Sequence, residues 1–257
     1  MELVSFLTDS NVITFFLLFV RLSAIFAFFP FFNYHTISIQ IKTALVLYLT
    51  ILFFPIIPEY VYTEITPVSI MIAVLGELML GFIASIFLSI TFHLLHYAGE
   101  QISFIMGFSM ASVMDPSTGG NTTVMSQVLV LIGLLTFLSF DGHHLVILFM
   151  DEALAQIPLG TINLHENIIN YILKAVASFF VVGFSIAFPV VSIGLLSDLI
   201  FGMLMKTMPQ FNLLVVGLPI KVGLSLMVLF FTVGSMMVIF KIEFLKAYNA
   251  LVIFFTI

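Results

Sequence analysis

Charge is what this sequence has least of. Asp, Glu, Lys and Arg supply 8% of 257 residues, against 62% apolar, whereas soluble domains carry ~25% charged residues. A soluble chain so poor in charge would run out of polar surface and aggregate through exposed apolar patches. Lipid removes that difficulty, and the mean hydropathy of +1.28 agrees. Cysteine is absent, which excludes disulfides and thiolate-held zinc or iron–sulfur centres. The formal charge of −6 comes from scattered residues with no run of like sign. That excludes a basic nucleic-acid footprint and a charged disordered tail. Also missing are a nucleophile elbow, a phosphate loop, a dinucleotide fingerprint, HExxH and Glu-x-x-His. No catalytic, metal or cofactor-binding residue is therefore expected. The start MELVSFLTDSNV lacks a basic n-region, so the first apolar run is expected to remain in the mature chain.

What is present is a series of continuous apolar runs at 12–32, 43–57, 68–97, 125–150, 171–205 and 211–240, with an apolar tail to 257. A bilayer core of ~30 Å needs roughly 20 helical residues, so there is room for about six or seven segments. Lipid-embedded backbone must pair within a helix or a closed barrel. Barrel strands alternate over about ten residues, and these runs do not. The fold class is an all-α membrane protein of long helices. Residues 98–124 differ: rich in Gly, Ser, Met and Thr, with Asp115-Pro116 and Gly119-Gly120, yet still apolar. Such a segment at membrane depth is tolerated only inside protein or beside a cavity, and flexible methionines repack readily. From Met106 to Met125 it reads either as a core-packing loop or as a deformable plug. Lys206 to Gln210, with Pro209 as breaker, divides the last two long runs into a helical hairpin. Acidic loops at 58–67 and 151–171 suggest the outside and the Lys206–Lys221 region the cytoplasm, but strict alternation then places Lys241 and Lys246 against the positive-inside rule.

Few polar residues interrupt the apolar runs. Arg21, at the centre of its run, is costly in lipid and should face protein or water, with Glu77, Glu100 or Asp198 as candidate partners. Gly194, Asp198, Gly202 and Lys206 are spaced by four and share a helix stripe, where Gly194 and Gly202 allow close helix packing. His93, His96 and Glu100 share a face. Asp141, His143 and His144 form a second cluster, but adjacent histidines diverge by ~100° on a helix, which argues against a metal site there.

Several stretches carry a resemblance: Arg21 with Phe29-Pro30; Gly76-Glu77 with Gly81; Gly99-Glu100-Gln101 running into GFSMASVMDP (107–116); LSFDGHH (138–144); Pro158-Leu159-Gly160; AFPVVSIGLLSDLIFGMLMKTMPQFN (187–212); and Gly217-Leu218-Pro219. Together they resemble the FliR/SctT family of type III export-gate subunits, over nearly the whole chain and in order. The resemblance implies a non-enzymatic subunit of a flagellar basal-body gate in the bacterial inner membrane. Unfolded flagellar subunits would pass through that gate, with the energy supplied by an ATPase and proton-motive force elsewhere. It implies FliP-like and FliQ-like partners, neighbouring export-apparatus and rod proteins, and lipid. It implies a FliP-like part, 1–170, followed by a FliQ-like hairpin, 171–257, with gate helices largely lifted out of the bilayer plane. It also implies a plug loop over about 106–123, including Met106, Gly107, Phe108, Met110, Met114, Asp115, Pro116, Gly119 and Gly120. An injectisome homologue and a stand-alone secondary transporter built on Arg21, Glu77 and Asp198 are the alternatives.

Overall fold

The structure is a computed structural model that describes residues 9–29, 38–57, 66–108, 123–161, 168–208 and 213–256. Among these residues every regular element is helical: α1 (Asp9–Phe28), α2 (Ile39–Phe53) with a one-turn 3₁₀ continuation (Phe54–Ile56), α3 (Pro67–Met106), α4 (Val124–Ser139), α5 (Gly142–Gln156), α6 (Ile168–Thr207), a π turn (Leu213–Gly217) and α7 (Leu218–Thr256). Five helical stretches, in α1, α2, α3, α6 and α7, are long and apolar enough to cross a membrane, and a sixth arises if α4 and α5 are taken as one.

The helix ends follow from local chemistry. At the start of α3 the Ser69 N–H donates to Thr66 Oγ1 at 3.2 Å and the Thr66 N–H donates to Ser69 Oγ at 3.1 Å, a reciprocal cap with Pro67 at the first position. At its other end Gly107 adopts a left-handed φ of 84°. Its N–H donates to Phe104 O, and that of Phe108 to Ser103 O, which closes the last turn. The helix thus continues through Gly99 and Ser103 to Met106, because nothing breaks the apolar spacing of Ile102, Ile105 and Met106 before Gly107. The run 125–150, expected as one segment, is divided at Asp141. This is the described non-glycine residue with a left-handed φ, 58°, and it precedes Gly142 at the start of α5. The tail after residue 240 is not separate: Lys241, Glu243 and Lys246 ride on a continuous α7.

Several hydroxyls within these apolar helices bond to their own backbone. Thr14, Thr50, Thr136, Ser185, Ser197 and Thr232 each donate to the carbonyl one turn back, at 2.7–2.8 Å.

The chain forms two compact units. One comprises Met1–Ser89, Asp141–Leu173 and Leu245–Ile257, the other Ile90–Phe140 and Lys174–Phe244. In the first, Leu17, Leu18, Leu22, Leu80 and Leu88 are wholly buried, and Phe149 meets Phe255 edge-on at 5.1 Å. The second is centred on aromatics: Phe92 lies 5.5 Å from Phe137 and 5.3 Å from Phe240, and Phe137 lies 5.1 Å from Phe244. Here Gly99 sits so close to α4 that a Cβ on it would lie 2.7 Å from the Ser126 nitrogen. Gly202, by contrast, has open space over it. Overpacking a tight contact costs ~1–3 kcal/mol. The full chain in detergent should therefore unfold at a lower temperature as Gly99→Ala, while Gly202→Ala, at an open position inside a helix where alanine is favoured by about 0.5–1 kcal/mol, should leave the midpoint unchanged or raise it. Equal shifts for both would contradict this packing.

Candidate functional site

The polar centre of the first unit is built from three distant segments. Arg21, on α1, is 2% exposed. A charge so buried is stable only with its hydrogen bonds answered. Its Nε and Nη2 donate to the two carboxylate oxygens of Glu77 on α3, the latter at 3.0 Å, forming a bidentate pair. Its Nη1 donates to the carbonyl of Ile157 at 2.9 Å, just past α5. The Gly160 N–H donates to Glu77 Oε1 at 2.6 Å. Gly160 has a left-handed φ of 76°, the conformation a glycine tolerates without strain, in the turn opened by Pro158. One turn beyond Glu77, a Cβ on Gly81 would stand 2.8 Å from the Arg21 carbonyl oxygen. Glycine there lets α3 approach α1 closely enough for the pair to form. Of the three acids considered for Arg21, the structure selects Glu77.

In the second unit Asp198 on α6 accepts two bonds from the Lys221 Nζ on α7, at 2.6 and 2.7 Å. The lysine is mostly buried and the carboxylate half-exposed. Lys221 was assigned only a role in loop charge. Its pairing was legible in one respect, since Asp198 and Lys221 are equidistant in sequence from Pro209-Gln210. On the same stripe Gly194 packs tightly on Ile105, whereas Lys206 is exposed. Asp198 and Lys206 are both exposed in the single chain, where this part of the α6 stripe turns outward. Glu100 is half-exposed beside His96, at 3.4 Å, and His93 is exposed.

Met106 is buried at the end of α3 and Gly107 and Phe108 are half-buried in its cap. The expected loop residues Met110, Met114, Asp115, Pro116, Gly119 and Gly120 lie outside the described residues. Near the start of α5, the ligating atoms of Asp141, His143 and His144 lie within 4.8 Å of one another. The two imidazoles lie 4.1 Å apart. The expected divergence of these adjacent side chains does not occur, because both rings swing toward each other.

The family model described as bacterial export proteins, family 1, matches residues 12–247. The chain belongs to that family. Among its relatives is the flagellar biosynthetic protein FliR of Pectobacterium carotovorum subsp. carotovorum, 29% identical, the alignment covering 84% of this chain and 82% of the relative. The FliR of Bacillus subtilis (strain 168) is 29% identical, with 88% of each chain covered, and that of Aquifex aeolicus (strain VF5) is 28% identical, with 86% of each covered. The family match spans Arg21, Glu77, Ile157 and Gly160, the residues that meet in the polar centre.

Removing one partner of a buried ion pair costs ~3–5 kcal/mol, because the other charge is left stranded. Arg21→Met and Glu77→Met should each lower the thermal midpoint of the full chain strongly, and the double variant should lose less than either single one. A double variant whose loss equals the sum of the singles would contradict coupling between the two.

Proposed function

We propose that this chain is a non-enzymatic subunit of the flagellar protein-export gate in the bacterial inner membrane, within the flagellar basal body. The observation that carries the reading is the family match over residues 12–247 together with relatives named FliR along most of their length. The apolar helices suit a membrane setting, and the broad apolar surfaces of α6 and α7, with Phe230 76% and Phe231 70% exposed, suit lipid or neighbouring subunits. FliP-like and FliQ-like chains are the proposed neighbours. Residues 1–170 are the FliP-like part and 171–257 the FliQ-like hairpin, whose two helices α6 and α7 are cross-linked by Asp198 and Lys221.

The segment from Met106 to about Thr123 is the proposed plug. Its support is the firm stop of α3 at Gly107 and the start of α4 at Val124, with a Met- and Gly-rich sequence between them that repacks around varied substrates. The work of export falls to other components, so the chain contributes a path and not chemistry.

Deleting the gene should abolish motility, hook assembly and flagellin secretion together, with flagellin retained in the cell and all three restored by complementation. Normal secretion in the deletion strain would overturn the reading. Shortening residues 106–123 in a reconstituted gate should raise its small-ion conductance. Unchanged conductance would remove the plug role while leaving the gate role standing.

A further inference from the structure

The Asp141-Gly142-His143-His144 stretch takes no part in the polar centre or the proposed path, yet it gathers three metal-ligating side chains. The left-handed Asp141 and Gly142 turn the chain sharply into α5, which sets the Asp141 carboxylate over the first turn of that helix. His144 Nδ1 stands 3.5 Å from Asp141 Oδ1, with both side chains largely exposed. His143 is different: its Nδ1 is buried and has no hydrogen-bond partner among the described residues. A carboxylate–histidine contact accounts for His144 but leaves that nitrogen unexplained. A buried, unanswered polar atom is costly, and a cation shared with its neighbours would answer it.

We propose that Asp141, His143 and His144 form a three-ligand site for a divalent transition metal of the zinc class. Imidazole and carboxylate suit zinc and its borderline neighbours, and nothing in the chain offers a thiolate. Zinc binds nitrogen and oxygen at about 2.0–2.2 Å, which places tetrahedral ligands about 3.4 Å apart. The donors here lie within 4.8 Å of one another, so a bound metal would draw them together by about 1 Å. The outward exposure of Asp141 and His144 leaves the fourth position to water, and the metal would brace the turn into α5.

The test uses the full chain purified in detergent, stripped with a chelator and titrated with Zn²⁺ by calorimetry. One zinc per chain is expected. His143→Gln and His144→Gln should each weaken binding by at least the ~10–100-fold that loss of a mere supporting partner costs at zinc sites. Asp141→Asn should weaken it too while preserving the turn, since asparagine tolerates the left-handed conformation. His96→Gln, in the separate His96–Glu100 pair, should leave it unchanged. Zinc should also raise the thermal midpoint of the native chain and not that of His144→Gln, a readout valid whether or not the gate reading holds. Absence of saturable binding, or binding indifferent to all three ligand substitutions, would overturn the site.

Discussion

A guanidinium buried among leucines has to be answered by something, and the first compact unit is arranged around that requirement. Arg21 cannot reach water from where it lies. Its Nε, Nη1 and Nη2 instead draw in Glu77 from α3 and the carbonyl of Ile157 from beyond α5, and Glu77 in turn accepts the Gly160 amide. The glycines belong to the same device: Gly81 lets the two backbones meet, and Gly160 turns its amide toward the carboxylate. Three segments of the sequence that carry the family resemblance are thereby explained by one bidentate pair and its two backbone supports.

Elsewhere the chain lives with few polar groups by keeping their demands local. Several threonine and serine hydroxyls bond back to their own helices, and the Asp198–Lys221 pair spans only the two helices on which it sits. Much of what remains on the outside is apolar. On a monomer in water the exposed Phe180, Phe230, Phe231 and Met203 would be a hazard. In a membrane-embedded assembly they are the means of seating against lipid and other subunits.

Composition and unbroken hydropathy made the helical membrane class legible, since no other backbone arrangement suits runs of this length in lipid. The need for Arg21 to find a partner was equally plain, but three acids were eligible. The choice rested on a contact between residues 56 apart in sequence, which no local pattern encodes. Gly99 lies inside α3 for contact with α4 and not for a turn, and the helix stops only at Gly107, whose left-handed φ ends it. The divided run at Asp141 was hidden by uniform hydropathy, although Asp-Gly marks a turn. Lys221 was overlooked because a lysine near a break reads as loop charge until the hairpin partner opposite it is considered.

The central functional claim is that export substrates pass beside the Met-rich segment after α3. The absence of native cysteine makes a direct measurement possible. A single Met110→Cys substitution would be combined with an export substrate stalled in transit and carrying one cysteine of its own, under mild oxidation. The account predicts a mixed disulfide between the two, absent when the cysteine is placed instead at the outward-facing Phe231. No disulfide from Met110 or neighbouring loop positions, while the stalled substrate still occupies the gate, would contradict it.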